Sequence, residues 1–320
     1  MSREINSIKV RLGISSCLLG QRVRYDGNHK RDDYITDTLA RYFEFVPVCP
    51  EVGIGLGVPR PPIRLVGSVA RPRAVGVDDS TLDVTDALAA YGRRQARMLD
   101  DISGYIFKSK SPSCGLARVK VYGRGAAAPR LGTGVYAAAF RAAQALLPVE
   151  EEGRLNDAAL RDNFLERVFA YRRWRQLQAS GVSAARLIAF HTAHKLALMA
   201  HGPSRYAALG RVVAGADRRG ARAVAARYID GFMCVLSYPA TRRMHANVLQ
   251  HAAGYLKRDL DAGDRHELRD AIESYRTGAL PLLVPVTLLR HHFRRYPNPW
   301  IEDQVYLYPH SAEFTLRYGI

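Results

Sequence analysis

The sequence lacks the segments that mark membrane-spanning and secreted proteins. It has no run of about eighteen uninterrupted apolar residues, and its N-terminus has neither the apolar core nor the small-residue cleavage site of a secretory signal. Its four cysteines are widely separated in 320 residues, which excludes the dense disulfide framework of a small secreted scaffold. These absences predict a folded cytoplasmic protein without membrane association, whose thiols are reduced or bind metal.

Acidic residues are scarce relative to basic ones. The chain has 47 Lys and Arg against 30 Asp and Glu, which gives a net charge of +17. The excess is not confined to a tail, because residues 1–150 hold 22 basic and 14 acidic residues and residues 151–320 hold 25 and 16. A basic surface along the whole chain favours a polyanionic partner, above all nucleic acid, over a basic protein that has no such partner.

Two patterns of secondary structure follow one another along the chain. Residues 1–150 alternate β-rich runs with helical runs, including a helix at 32–43 and a hairpin at 63–77, which predicts an α/β domain with a mostly parallel sheet flanked by helices. Residues 151–320 show helical periods, for example over 183–201, and almost no strand signal. They are therefore predicted to form an all-α domain, with the boundary near residue 150.

Three of the four cysteines stand just beyond the end of a predicted strand. Cys17 lies in LGISSCLLG, Cys49 in FVPVCPEVG and Cys114 in IFKSKSPSCG. Loops at the carboxyl ends of neighbouring parallel strands gather in one crevice, so these thiols are expected to meet. The fourth, Cys234, lies in an apolar helical run and is predicted to belong to a core.

Three converging thiols are typical of a metal centre, since reduced cysteines held so close would otherwise oxidise. Structural zinc normally has four protein ligands, often in C-x2-C pairs, and the sequence contains no such pair. Three cysteines suit a 4Fe-4S cluster that leaves one iron open. Zinc with an added His or carboxylate, and buried thiols without metal, are the alternatives that the pattern leaves.

The cysteine loops carry motifs of a known family. The segments ISSCLLGQRVRYDG, PVCPEVGIGLGVPRPP, DVT, KSKSPSCG and GTGVYA follow one another over residues 9–148 and resemble the TudS-like thiouracil desulfidases. The resemblance implies that Cys17, Cys49 and Cys114 hold a 4Fe-4S cluster as the cofactor.

The second half resembles the YbgA-like helical domain through segments such as LIAFHTAHKLALMAH, HANVLQHAAGYLK and YLYPHSAEFTLR. The fusion of the two domains implies an iron-sulfur enzyme that removes sulfur from 4-thiouridine in transfer RNA, with the helical domain binding the tRNA. The net charge of +17 fits this partner independently, because a basic surface supplies phosphate affinity.

The implied reaction is a non-redox hydrolysis that gives uridine and hydrogen sulfide. Glu51, two residues after Cys49, is the candidate acid or base, although such a carboxylate could instead pair with a nearby arginine. Ser111 is by resemblance the serine that orients water or substrate. Its rivals are Ser109 and Ser113, and a serine in such a loop can also serve only to stabilise a turn.

Two further residues are candidates for substrate binding, with Ser113. Asp26 in RYDG could bond the base or stabilise its own turn, and Lys108 could contact phosphate or a carboxylate, or lie in solvent. The Gly-rich turn at 132–136 could bind an anion or be only a tight connection. Two other functions stay open: desulfidation of free thiouracil or another small thiolated base, and a non-catalytic RNA-binding role with a structural metal.

The helical half contains histidines and basic aromatic segments. His191, His194 and His201 fall near one helix face, but no acidic ligand is close in sequence, so packing or RNA contact is favoured over metal. Residues 171–176 (YRRWRQ) and 290–296 (RHHFRRY) could contact RNA through arginine and aromatic rings. The alternative is a solvated basic face, with Trp174 in the core.

Overall fold

The structure is a computed structural model, and it describes residues 9–123 and 130–318. It divides into two compact units, Met1–Phe164 and Leu165–Ile320. The division lies beyond the boundary expected near residue 150, because a strand at Val149–Glu151 still belongs to a sheet of the first unit. No helix in these described ranges is long and apolar enough to cross a membrane.

The described strands of the first unit form two four-stranded sheets. In chain order the strands are β1 (Val10–Ser15), β2 (Phe43–Val48), β3 (Ile63–Ser68), β4 (Arg71–Gly76), β5 (Tyr105–Phe107), β6 (Val119–Tyr122), β7 (Arg130–Gly132) and β8 (Val149–Glu151). One sheet is parallel throughout, in the order β2-β1-β5-β8, which confirms the expected α/β class. The other is mixed, in the order β4-β3-β6-β7, and contains the expected hairpin as β3 and β4.

The parallel sheet aligns the carboxyl ends of its strands. Ser15 at the end of β1 pairs with Val48 at the end of β2, and Phe107 at the end of β5 pairs with Glu151 at the end of β8. Gly13 in β1 is required by close packing, because a Cβ there would lie 2.3 Å from the ring of Tyr105 on the neighbouring strand. The residues that follow these four strands therefore lie along one edge of the sheet.

Helices and turns connect the strands of the first unit. The helices are α1 (Pro50–Gly53), α2 (Thr85–Met98), α3 (Val135–Ala143) and α4 (Ala158–Ala179), which continues into the second unit, and 3-10 turns lie at Ser16–Leu19, Leu39–Arg41 and Glu152–Asn156. The helix expected over 32–43 is present but is not a regular α-helix: a π-helical turn, Tyr34–Thr38, leads into a 3-10 turn. Side chains compete with the regular helical pattern here, since Asp32 Oδ1 accepts from the Ile35 amide and Thr36 Oγ1 donates to the Asp32 carbonyl.

The second unit is helical, as predicted. Its further helices are α5 (Ala184–Ala193), α6 (Lys195–His201), α7 (Pro203–Val213), α8 (Ala216–Arg219), α9 (Ala221–Leu236), α10 (Arg242–Ala253), α11 (Ala262–Thr277), α12 (Leu283–Arg295), α13 (Pro299–Glu302) and α14 (Ser311–Tyr318), with a 3-10 turn at Gly254–Leu256. The apolar stripes of several of these helices meet in one core, which includes Leu196, Leu249, Leu268 and Leu289.

Two expectations about the second unit are wrong. The helical run over 183–201 is two helices that meet at His194, whose Nδ1 lies 2.7 Å from the Phe190 carbonyl oxygen and competes with the backbone for it. Cys234 is exposed and does not belong to the core. The segment GFMCVLS around it is apolar, but α9 buries Phe232 and Met233 on one side of the helix and leaves Cys234 on the other.

Candidate active site

Three loops that follow parallel strands enclose one cavity. Cys17 lies in the turn after β1, Cys49 directly after β2 and Cys114 in the loop after β5, and all three line a cavity of about 450 Å³, which we call the cysteine cavity. Because these strands are neighbours in the sheet, the topology brings together thiols that are 32 and 65 residues apart in sequence. The structure thus places the three thiols around one cavity.

Burial controls the protonation of the three thiols. Desolvation, followed by the nearby Cys49 sulfur, raises the pKa of Cys17 to about 11. Desolvation also raises the pKa of Cys49, and it raises the pKa of Cys114 well above its usual value although the Ser15 hydroxyl donates a hydrogen bond to this sulfur. The thiols therefore keep their protons until a cation replaces them, since the thiolate is the form that binds metal.

The donor set of the cavity bears on the kind of metal centre that fits. Within 9–123 and 130–318, no three His, Cys, Asp or Glu side chains are grouped so that they could hold one metal ion. The cavity lining does supply three soft sulfur donors, and a 4Fe-4S cluster takes one thiolate per iron.

Hydroxyl and backbone contacts hold the turn that carries Cys114. Ser111 Oγ accepts the amide protons of Ser113 (3.2 Å) and Cys114 (3.1 Å), and so has the turn-stabilising role that the sequence left open. The same hydroxyl lines the cysteine cavity and still has its own proton to donate. Gly134 packs against this turn, because a Cβ there would lie 2.5 Å from the Ser113 carbonyl oxygen.

The Gly-rich turn before α3 is a connection to the Cys114 loop. The amides of Val135 and Ala137 donate to the carbonyl oxygens of Pro112 (3.1 Å) and Ser113 (3.0 Å). These are amides that an anion at the start of α3 would need. Of the two roles considered for this turn, the structure therefore supports the tight connection.

Glu51 projects from the first turn of α1 into the wall of the cavity. Its Oε2 accepts from Arg60 Nε (2.9 Å) and Nη2 (2.7 Å), and its Oε1 accepts from the Ser113 hydroxyl at 2.9 Å. The pairing with a nearby arginine is thus present, and the same carboxylate lies in the cavity with the three thiols. A carboxylate has about four lone-pair sites, so one remains for water or substrate.

A second carboxylate supports the cavity from the end of β8. Glu152 forms an ion pair with Lys108 Nζ and accepts from the amide and the hydroxyl of Ser109, both at 2.7 Å. Lys108 and Ser109 line the cavity, so this lysine contacts a carboxylate and is not a solvated side chain. Sequence reasoning missed Glu152, because β8 has three residues and its acidic surroundings indicated a domain boundary.

Asp26 is not among the residues that line the cavity. Its carboxylate accepts from the Asn28 amide (3.1 Å) and from Arg24 Nε (3.3 Å), so it stabilises its own turn. Desolvation opposes these hydrogen bonds, yet they hold the pKa of Asp26 below its usual value. Its partner Arg24, which the sequence analysis did not single out, does line the cavity.

Sequence reasoning also missed two buried residues that hold the site together. Ser15, the last residue of β1, accepts from the Lys108 amide at 2.9 Å and bonds the Cys114 sulfur. Arg60 pairs with Glu51 across nine positions of the chain. Arg60 stands in the segment PEVGIGLGVPRPP, which carried part of the family resemblance, but nothing in that segment says which side chain the arginine meets.

The histidines of the helical unit serve packing. His191 Nδ1 lies 3.1 Å from the Tyr228 hydroxyl oxygen, His194 is wholly enclosed, and His201 Nε2 lies 2.9 Å from Glu166 Oε2. All three rings are buried among protein groups, so the structure supports packing as their role. In the segment 171–176, Trp174 is buried in the core, as the alternative for that segment predicted.

In the segment 290–296, His292 and Phe293 are buried too. Only its other side chains are placed to meet a partner at the surface. The segment therefore offers arginines but not the ring of Phe293 for RNA contact.

Comparison with known proteins matches two families in succession. A family described as 2-thiouracil desulfurase matches residues 12–152, and one described as a protein of unknown function (DUF1722) matches residues 195–311. The chain is 34% identical over 159 residues to the uncharacterized protein YbgA of Escherichia coli (strain K12), and the aligned region covers 49% of this chain and 94% of YbgA. It is 32% identical over 150 residues to the uncharacterized protein YbbK of Bacillus subtilis (strain 168), which covers 45% and 97%.

One solved structure also matches. It is that of the 4Fe-4S-dependent thiouracil desulfidase TudS, with 31% identity and a TM-score of 0.38, and the match covers 47% of this chain and 95% of that one.

Proposed function

Since the chain belongs to the 2-thiouracil desulfurase family through its N-terminal part and to the DUF1722 family through its C-terminal part, we propose that it is an iron-sulfur-dependent hydrolase that removes sulfur from 4-thiouridine in transfer RNA. The observation that carries the proposal is the cysteine cavity, where three buried or half-buried thiols and the Glu51 carboxylate meet. Soft sulfur donors beside a proton acceptor suit the exchange of a thiocarbonyl for a carbonyl.

The reaction balances without a change of oxidation state. The oxygen of a water molecule bonds to the thiocarbonyl carbon, and the bond from that carbon to sulfur breaks. Both protons of the water leave with the sulfur as hydrogen sulfide, and uridine remains. The protein must therefore take one proton from water, deliver protons to sulfur and hold the base in place.

Cys17, Cys49 and Cys114 would hold a 4Fe-4S cluster at the cavity wall. With one iron free of protein ligands, such a cluster supplies a Lewis acid to which a thiocarbonyl sulfur can bind. The remaining chemistry belongs to side chains of the chain. The raised pKa values of the thiols mean that cluster loading releases protons to solvent.

Glu51 is placed to move the proton. Its free lone-pair site would accept the proton of the attacking water, and the same group would return it to sulfur. Ser111 has a hydroxyl proton to donate to that water or to the base, while its lone pairs hold the Cys114 turn. Ser113 bonds Glu51 and fixes the orientation of the carboxylate.

Cationic side chains at the cavity suit a substrate that carries phosphate. Arg24, Lys30, Lys108 and Lys110 line it, and Asp26 holds Arg24 while Glu152 holds Lys108. The positive charge continues through the helical half, with 25 basic and 16 acidic residues in 151–320. A free thiouracil base would need no such charge, so we assign the helical unit to binding of tRNA.

The test is anaerobic. The chain is reconstituted with iron and sulfide, then incubated separately with thiolated tRNA and with free 4-thiouracil, and loss of the thiocarbonyl absorbance is followed. We expect loss from tRNA, abolished in Cys114→Ala and kept in the matched variant Cys234→Ser, since the Cys234 thiol is exposed and is not among the residues that line the cavity.

Loss from the free base alone would move the substrate to a small thiolated base. A chain that takes up no iron, or that takes it up and changes neither substrate, would contradict the proposed activity.

A further inference from the structure

The side chain of Arg60 is a buried cation that makes four hydrogen bonds to three acceptor atoms. It is 5% exposed, and it donates through Nε and Nη2 to Glu51 Oε2 (2.9 and 2.7 Å). Nη2 also donates to the Val23 carbonyl oxygen (2.9 Å), and Nη1 donates to that of Gly57 (3.0 Å). Burying a cation is unfavourable unless its partners are all in place, so this position depends on a complete set of contacts.

These contacts connect the three cysteine loops. Val23 lies in the loop that begins with Cys17, and its carbonyl oxygen also lies 3.7 Å from the Cys49 sulfur. Glu51 follows Cys49, and its other oxygen accepts from Ser113, the residue before Cys114. One guanidinium therefore touches two of the loops directly and reaches the third through Glu51.

The same contacts select the free side of the Glu51 carboxylate. Two donors of Arg60 converge on Oε2, whereas Oε1 has the single bond from Ser113. The planar guanidinium can reach several acceptors at fixed angles, which a lysine ammonium cannot reproduce. The oxygen with bonding capacity left is the one away from the arginine.

We propose that Arg60 is a positioning residue that acts through Glu51: it presents Oε1 to the substrate and joins the three cysteine loops. The second part concerns the apoprotein and does not depend on the proposed function, whereas the first part rests on it. Sequence motifs and family matches say nothing of this role. It follows from the donors and acceptors around one side chain.

The first measurement is hydrogen exchange in the apoprotein, which requires no activity. In Arg60→Lys, the peptides that contain Val23 and Ser113 should exchange about tenfold faster or more, because loss of hydrogen bonds to a charged group makes local opening of these loops easier by about that factor. In the control Arg73→Lys, which weakens an exposed ion pair with Asp83, those peptides should be unchanged. Equal exchange in the Arg60→Lys variant and wild type would overturn the proposal.

The second measurement is kinetic, with rates normalised to the iron bound. Arg60→Lys should lower kcat about tenfold and leave KM unchanged, and in the Glu51→Gln background the same substitution should have no further effect. Added guanidinium should restore part of kcat in Arg60→Ala. A full multiplicative loss in the double variant would show a separate structural effect and overturn the role through Glu51.

Failure of the wild type to desulfidate any substrate would contradict the proposed function. The exchange measurement would then decide by itself whether Arg60 joins the three cysteine loops.

Discussion

The cysteine cavity and the buried charge cluster of the helical unit both keep ionisable groups from water, but they use them differently. In the cluster, Glu166 accepts from His201 at 2.9 Å and Arg317 at 3.1 Å, and Glu313 pairs with Arg317 and Arg173. The cluster borders a cavity of only about 10 Å³, whereas Glu51 and Ser111 line one of about 450 Å³ that has room for a further partner. Buried charge networks of the first kind stabilise a fold, whereas ionisable groups that face a cavity are where chemistry is expected.

Protonation differs in the same way. Desolvation alone would raise the pKa of Glu166, but Arg317 and His201 lower it far below its usual range. Desolvation would lower the pKa of His201, but Glu166 raises it. Each group of the pair keeps the other charged. At Cys17, burial raises the pKa more than the nearby Lys108 and Arg24 lower it, so this thiol stays protonated in the absence of metal.

The largest effect on activity is expected from Glu51→Gln. General acid–base groups are worth about 10²- to 10⁴-fold, so kcat per bound iron should fall by at least about a hundredfold. The substitution also removes the counter-charge of buried Arg60, so the unfolding temperature should fall as well. Rates of desulfidation per bound iron and a thermal melt measure the two effects separately. Wild-type kcat would show that the open carboxylate is structural, like its counterpart in the helical unit.

Disrupting the buried charge cluster of the helical unit should mainly lower the stability of that unit. Glu166→Ala leaves His201 buried without its carboxylate and removes one of the two carboxylates that pair with Arg317. Loss of one partner of a buried pair is worth about 3–5 kcal/mol of unfolding free energy. Both tryptophans, Trp174 and Trp300, lie in the helical unit, so denaturant unfolding followed by tryptophan fluorescence reports on this unit.

The matched control is Glu273→Ala, which removes an exposed ion pair with Arg276 and should leave the transition unchanged. A stable Glu166→Ala protein would mean that the network adds nothing to stability.

Acid should weaken the helical unit because of its neutral histidines. Burial lowers the pKa of His194 and of His245 from 6.5 to about 3, and that of His191 to about 4. The unfolded chain takes up these protons as pH falls through 6.5 and the folded chain does not, so stability is lost between about pH 6.5 and 4. His201 acts oppositely: its contribution is complete below 6.5 and is lost as pH rises through its raised pKa.

One variant tests this sign. His194→Leu removes one titrating group, so the slope of unfolding free energy against pH below 6.5 should fall by about 1.4 kcal/mol per pH unit. Equilibrium unfolding at several pH values measures it. An unchanged slope would show that this histidine is not neutral in the folded chain.

The smallest effect should come from Asp26→Ala. Its ion pair with Arg24 is partly exposed, and exposed pairs contribute little, so KM for thiolated tRNA should rise by no more than about twofold, with kcat unchanged. A rise of tenfold or more would place Asp26 in contact with substrate.

Much of the cavity is readable from sequence because it depends on local order. Cys17, Cys49 and Cys114 each follow an apolar β-rich run, and neighbouring parallel strands end at one edge. The same local reasoning fails where the environment decides. Cys234 stands in an equally apolar run, yet only helix rotation determines that it faces solvent.

The two fold classes, the strand ends and the positions of the three cysteines follow from short segments, since the apolar period and the strand termini are local properties. The pairing of Arg60 with Glu51, and of Glu152 with Lys108 44 positions away, depends on the tertiary fold. Such pairs join polar residues whose types recur throughout a basic chain. Their choice of partner depends on which loops the sheet places side by side, and no short segment contains that information.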